Sequence, residues 1–403
     1  MTSRRFFIRN SAIAAAGLGI APSWLLRSAA AQGENKRKIV VAVFQRGAAD
    51  GLNVVVPFFE KRYYDLRPTI AIPVPGKPNG AIDLDGRFGL HPSLQALKPV
   101  WDSGQLALVH ASGSPDPNRS HFEAQDYMES GTPGRLADDG WLNRALPLQV
   151  ANPSPIRAIA IGSKLPRTLK GNRGGVALND LQQFQMRNQE TAAVLESMYA
   201  SSADPQLMAQ GKGTFEAVKT IESIGRRPYT PANGAQYIGE FGRNLQQIAR
   251  LIKADIGLEA AFADINGWDH HSNENPQLAG LLQQFGTSIA AFIKDMGDRM
   301  ADIVLVTMSE FGRTAREDGN AGTDHGHGNV MMVLGGNVRG GKVYGKWPGL
   351  EQEQLFEGRD LAVTTDFRDV LGEIVKDHIG QNPDAVFPGY KPSLSLGLMK
   401  SRV

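Results

Sequence analysis

The sequence predicts an α/β protein, one large domain around a doubly wound, mostly parallel sheet, and three observations carry that expectation. Apolar and β-branched runs of five to eight residues recur along the chain, as strands buried on both faces of a parallel sheet require. Helix-patterned stretches separate several of these runs. Clusters of chemically active side chains follow the runs directly, in the place where doubly wound sheets gather ligands, beyond the carboxyl ends of the strands. The composition of the 403 residues, 41% hydrophobic and 21% charged, is that of a folded globular chain and argues against disorder.

Residues 1–31 are set apart as an address. They open MTSRRFFIRN, in which Ser3, Arg4, Arg5, Phe6 and Phe7 match the twin-arginine pattern. Sixteen uncharged residues, 11–26, follow, and Ala29, Ala30 and Ala31 offer a small-residue cleavage site before Gln32. That stretch is shorter than the roughly 20 residues a membrane span needs. The expectation is export of a folded protein by the twin-arginine translocation machinery to the periplasm or beyond, with no stable membrane span after cleavage. Removing the segment takes away Arg4, Arg5, Arg9 and Arg27 and no acidic residue, leaving 39 of the 43 basic side chains against 41 acidic ones. With a net charge near zero and no basic cluster, nucleic acid is excluded as a partner. The chain has no cysteine, which excludes disulfides, thiolate metal sites, iron–sulfur clusters and a cysteine nucleophile.

The elements of residues 32–403 follow in order. Residues 38–44 (KIVVAVF) are the first strand, and the loop RGAADGLN after it carries Asp50. Residues 105–111 (QLALVHA) are the next, running through SGSPDPNRS into a helix over 121–129. Ser120 is read as the N-cap of that helix, with Glu123 completing a capping box. Strands are predicted over 157–161, 258–265, 302–308 and 330–334, and a long helix over 277–296. Residues 181–250 are helix-leaning, polar and poor in motifs, and are read as a helical insertion or cap broken at 226–234 (RRPYTPANG).

Two short histidine clusters, GWDHHSN and GTDHGHG, each also contain aspartate. Asp269 and His271 lie two apart in an extended exit from a strand, so both can face one side. Asp324, His325 and His327 are packed between glycines that let the backbone bend around an ion. Carboxylate with imidazole suits zinc, manganese or iron, whereas calcium and magnesium favour oxygen alone. Ser120 stands at a helix N-terminus, where amides and dipole favour an anion; serine is equally an ordinary N-cap. Arg119 and His121 are candidates to contact an anionic substrate. Glu310, after the strand over 302–308, is a candidate ligand, and Arg313 a candidate bidentate grip on an oxyanion; an ordinary Glu–Arg pair is the alternative. His91 and His110 read as structural.

Together the SRRxF signal, FQRGAADGLNVVVP, RSHFEAQDYMESG, GWDHH, SEFGRT and TDHGHG resemble a bacterial family of twin-arginine-exported proteins of unknown function, similar in turn to the alkaline phosphatase and sulfatase superfamily. The resemblance implies a three-layer α/β/α sandwich with a mostly parallel sheet and one or two divalent ions at its carboxyl edge, zinc or manganese ahead of calcium or magnesium. It makes Asp50 the first-strand metal aspartate, Ser120 the nucleophile, and Asp269 with His271 the ligand pair of one metal. Two alignments compete for the remaining ligands. Either Asp324 and His325 match the superfamily's Asp-His-Gly directly, or Glu310 takes the aspartate's place, Phe311 stands where histidine is expected, and TDHGHG supplies a later histidine.

Two functions are consistent with this pattern. One is an exported metal-dependent hydrolase of small anionic phosphate or sulfate esters with a serine nucleophile. The other is a non-catalytic secreted binding or assembly protein that keeps the fold and a structural metal.

Overall fold

The computed structural model describes residues 37–148, 154, 156–182, 189–392 and 395–400; the expected export segment, residues 1–31, lies outside the described residues. Each predicted strand is present within two residues of its expected limits. In chain order the main sheet holds β1 (Ile39–Arg46), β2 (Leu106–Gly113), β3 (Ala158–Ile161), β4 (Val176–Leu178), β5 (Ala260–Asn266), β6 (Ile303–Met308), β7 (Asn329–Gly335), β8 (Lys342–Tyr344) and β9 (Thr365–Asp366). The strands lie in the order β8-β2-β7-β6-β1-β5-β3-β4, with β9 also beside β2. Every pairing is parallel except the two made by β7, which runs against β2 and β6. The unforeseen strands β4, β8 and β9 have only two or three residues, too few to show a pattern.

Alternation along β1 explains the layers. Ile39, Val41 and Val43 enter one hydrophobic core; Val40, Ala42 and Phe44 enter another on the opposite face. A strand covered on both sides has no polar face, hence its unbroken apolar sequence. The first core is closed by α4 (Gly239–Lys253) and α5 (Glu274–Met296), and the second by α6 (Phe367–Glu373) and the short helix Trp141–Ala145. α1 (His121–Ser130) borders the second core through Met128.

The region expected to be a helical insertion divides in two. α2 (Gln189–Ala200) and α3 (Pro205–Arg226) form a hairpin, and the predicted break separates α3 from α4. α4 belongs instead to the sandwich: Phe241, Leu245, Ile248 and Ile252, spaced at helical intervals, are buried against α5 and the sheet. Interleaved polar residues hid that stripe from a reading of composition. Among the described residues no helix is long and apolar enough to cross a membrane.

Candidate metal centre

Loops leaving one rim of the sheet bring the reactive side chains together. Arg46 at the end of β1 pairs with Asn266 of β5, and Phe44 pairs with Met308 of β6, so these three strands end level. β5 continues through Gly267 and Trp268 to Asp269 and His271, and β6 continues to Ser309 and Glu310. Because β7 is antiparallel it enters the sheet from this same rim, which places the preceding His325 there. β2 leaves the rim and the chain returns as α1, whose first residue is His121.

Two features hold the loops in place. Trp268 is buried and donates from Nε1 to the Ile265 carbonyl at 3.0 Å. The segments SEFGRT and TDHGHG are joined by a bridge between Arg313 and His325, with Gly312 N donating to His327 O at 2.9 Å and Gly326 N donating to Gly312 O at 2.8 Å. A Cβ on Gly312 would lie 1.8 Å from Gly328 O, and one on Gly326 2.3 Å from the Arg313 carbonyl carbon. Close backbone approach is what requires glycine at both positions.

His325 Nε2 is the hub of the cluster. It lies 3.0 Å from His121 Nε2, 3.1 Å from His271 Nε2 and 3.3 Å from Asp269 Oδ1. His271 Nε2 is 2.9 Å from the same oxygen, and His121 Nε2 is 3.4 Å from Asp269 Oδ2. The other edges of the rings face outward. His121 Nδ1 donates to Glu310 Oε1 at 2.8 Å, His325 Nδ1 donates to the Arg119 carbonyl at 3.1 Å, and His271 Nδ1 faces Asp324 Oδ1 at 3.8 Å.

That arrangement decides the tautomers. A neutral imidazole that donates from Nδ1 presents a lone pair at Nε2. With both rings neutral, His121 and His325 aim lone pairs at each other across 3.0 Å, a repulsion relieved by a bound cation or by a proton on His121. The hydrogen bond to Glu310 raises His121 above its ordinary pKa against the effect of burial, while burial and the neighbouring His121 lower His325. Burial opposes ionisation of Asp269, but the hydrogen bond and charge of Arg313 outweigh it and hold the carboxyl below its usual range. Glu310 is likewise held low despite burial, by hydrogen bonds that include those from His121, Gln125 and Gly47.

The donor set fits a divalent cation. Zinc bonds to imidazole of about 2.0–2.1 Å make tetrahedral edges of about 3.3 Å, and the donor separations above run from 2.9 to 3.4 Å. Ligating histidines that donate outward to a carboxylate or carbonyl are the common supporting layer of such sites. Two overlapping triads could hold an ion, His121–Asp269–His325 and His271–Asp324–His325.

Of the expected ligands, Asp269, His271 and His325 meet here, and His121, expected to touch substrate, meets them. Glu310 stands one layer behind: Oε1 accepts from Gly47 N, His121 Nδ1 and Gln125 Nε2 at 2.8, 2.8 and 2.9 Å, and Oε2 lies 3.1 Å from Ser309 Oγ. Asp324 is exposed and accepts from Arg359 Nη2 at 2.7 Å. His327 is turned away and stacks on Phe356 with centroids 4.2 Å apart, and burial lowers its pKa to about 4. Asp50 is not among the converging groups. It is buried, and both its oxygens are taken by Arg67, which also donates to the Ala315 and Thr314 carbonyls. A guanidinium thus occupies the place beside Asp50 where an ion was expected.

Arg313, expected to grip an oxyanion, is buried and fully used. Nη1 donates to Asp269 Oδ1 at 2.6 Å, Nε to Thr323 Oγ1 at 3.1 Å, and Nη2 to the Thr323 carbonyl; it positions Asp269. Arg119 is tied to Asp360 and Glu357. Ser120 is the N-cap of α1, exposed, but its hydroxyl makes no cap hydrogen bond, and Glu123 accepts from Asn118 instead, so the capping box does not form. His91 caps a 3-10 turn and His110 donates to the Val55 carbonyl, both away from the cluster. Phe311 packs its ring 5.0 Å from that of His121 and 5.1 Å from that of His325. Gln125 was missed, although its place four residues after His121, one helical turn along the same face, was a usable signal.

No curated protein matches the sequence. Among solved structures the chain is similar to the zinc complex of the C-terminal periplasmic domain of EcEptC from Escherichia coli, at 9% identity over 75% of this chain and 74% of that one, with a TM-score of 0.34. It is similar to the PsFucS1 sulfatase from Pseudoalteromonas sp., at 11% identity over 94% and 76%, with a TM-score of 0.38. A mutant of the alkaline phosphatase PafA is also similar, at 9% identity over 70% of this chain and 64% of that one, with a TM-score of 0.31. A family model described as protein of unknown function, DUF1501, matches residues 37–382, a span that holds every residue of the histidine cluster. The chain therefore belongs to the DUF1501 family.

Proposed function

We propose that this protein is an exported, metal-dependent hydrolase of phosphate or sulfate esters, delivered by the twin-arginine machinery and using Ser120 as nucleophile. The observation that carries this reading is the convergence of His121, Asp269, His271 and His325 at a solvent-open rim, with the rings of His121 and His325 turned inward by hydrogen bonds from behind. A divalent cation, zinc or manganese ahead of calcium or magnesium, supplies when bound the positive charge that neutralises the ester oxygens. Ser120 adjoins His121 in the chain, and its hydroxyl is exposed and not spent on capping. The first-turn amides of α1 and the helix dipole favour the substrate's anionic group at the same place. Ser120 Oγ attacks phosphorus or sulfur in line and loses its proton to solvent. The bond to the alcohol oxygen breaks, the alcohol leaves, and water cleaves the serine ester. Arg313 keeps Asp269 ionised and placed, while Glu310 keeps the lone pair of His121 inward.

Metal analysis of the mature protein followed by a panel of phosphate and sulfate esters tests the proposal. Chelator should abolish turnover and added metal restore it, and Ser120→Ala should lower kcat by about 10³-fold or more with metal content and melting temperature unchanged. Full activity in Ser120→Ala would end the nucleophile assignment, and full activity after metal removal would end metal dependence.

One observation favours the second reading. Both oxygens of Asp50, the expected first-strand ligand, are taken by Arg67, which leaves the histidine cluster as the place for an ion of structural role. A secreted binding or assembly protein with such an ion would show stoichiometric metal and metal-dependent stability without turnover on any ester.

A further inference from the structure

We propose that a polar cleft on the rim binds a neutral, polyhydroxylated, sugar-like group, and that the ester hydrolysed is carried on such a group; the second clause rests on the hydrolase reading above and the first does not. The cleft, of about 500 Å³, lies over the ends of β1, β3 and β5 and against the start of α4. Its charged walls balance: Arg46 and Lys164 face Asp264 and Glu240, so neither a further anion nor a cation is favoured. Asn179, Asn244 and Asn266 supply three carboxamides, each with two N–H donors and an acceptor oxygen. None of the three, nor Lys164, has a hydrogen-bond partner among the described residues. Ligand pockets are as a rule mostly apolar. A cleft of unspent amides suits a ligand that offers alternating hydroxyl donors and acceptors.

The cleft is wired to the metal centre. Arg46 Nη1 donates to Gln125 Oε1 at 2.8 Å, Gln125 Nε2 donates to Glu310 Oε1 at 2.9 Å, and that oxygen accepts from His121 Nδ1 at 2.8 Å. Arginine only donates, so it fixes the Gln125 amide with its nitrogen toward Glu310. Arg46 is held in this pose by Asp264 and Glu129 at 2.8 and 2.9 Å. A ligand seated against Arg46 and Asp264 lies three hydrogen bonds from a metal ligand.

Calorimetric titration of the mature protein as purified with maltose, cellobiose and chitobiose tests this, repeated in chelator. At least one disaccharide should bind wild type, with or without chelator. Asn244→Leu and Asn266→Leu, each checked for an unchanged melting temperature and metal content, should weaken that binding about tenfold or more, and Asn179→Ala provides a third variant should either fail to fold. Absence of binding by all three disaccharides, or equal binding by the folded variants, overturns the proposal. Failure of the hydrolase reading shows separately, as absent ester turnover with saccharide binding intact.

Discussion

Replacing Glu310 by glutamine removes one charge and almost no volume from behind His121. Glu310 Oε1 takes three donors, Gly47 N, His121 Nδ1 and Gln125 Nε2, and a glutamine oxygen in the same place keeps all three. The new NH₂ would face Ser309 Oγ, whose own proton goes to the Gln45 carbonyl at 2.7 Å, so the hydroxyl can accept and the fold should persist. What changes is strength: a hydrogen bond to a charged acceptor contributes about 1.5–3 kcal/mol and a neutral one about 0.5–1.5. His121 loses about 1–1.5 kcal/mol of orientation, and the ion loses a nearby anion. Outer partners of ligating histidines typically affect metal affinity 10–100-fold, and we expect the zinc Kd of Glu310→Gln to rise by about that factor. Competition against a chromophoric chelator at fixed pH measures it, with the melting temperature in chelator as the control for folding. A folded variant with the wild-type Kd would show that what lies behind His121 Nδ1 has no bearing on what binds at Nε2, and the metal-centre reasoning would fail with it.

Gly312→Ala drives a methyl group into the Gly328 carbonyl, so the bridge that seats His325 must shift; we expect a loss of about 1–3 kcal/mol of stability and at least tenfold weaker zinc binding, read by urea unfolding and the same chelator competition, and unchanged zinc binding would contradict the role given to that close approach. Burial lowers His91 and His110 from 6.5 to about 4, and His110 Nδ1 already accepts from Ala111 N at 2.9 Å. The unfolded chain therefore takes up protons near pH 6.5 that the folded chain refuses until about pH 4. Their contribution is complete above 6.5 and lost as the pH falls toward 4, at up to about 2.7 kcal/mol per pH unit for two protons. Urea midpoints that stay flat from pH 7 to pH 4.5 would contradict it.

The architecture was legible because a parallel sheet writes itself in long apolar runs, and β1, β2, β5, β6 and β7 each had one. The convergence of Asp269, His271 and His325 was legible for the same reason, since all three flank strand ends at one rim. Partners were not. Nothing local to Asp50 announces Arg67, which comes from a helix end seventeen positions on and takes both carboxylate oxygens. Nor does the spacing in TDHGHG reveal that His325 and His327 part company, one ring entering the cluster and the other lying on Phe356. For Glu310 and Asp324 the structure shows partners that no alignment could give: Glu310 grips His121, and Asp324 borders His271 from the solvent side.

Arginine pairing around the rim bears on how many ions it can hold. Asp50 is held by Arg67, Asp324 by Arg359, Asp360 by Arg119 and Asp264 by Arg46. A second divalent ion needs carboxylate oxygens; taking Asp50 from the buried Arg67 would leave that guanidinium unpaired, at a cost of about 3–5 kcal/mol, and the triad that uses the exposed Asp324 shares His325 with the other. Among the described residues, the histidine cluster is where ring nitrogens face each other across 3.0 Å with no arginine between them. We therefore expect one divalent ion per chain by elemental analysis. Asp50→Ala should lose about 3–5 kcal/mol of stability, because it strands Arg67 in the core, while keeping its zinc Kd within about threefold of wild type. Two ions per chain, or an Asp50→Ala protein that unfolds normally but no longer binds zinc, would show that Arg67 yields its place to metal and that the carboxylates of this rim are not neutralised by arginine after all.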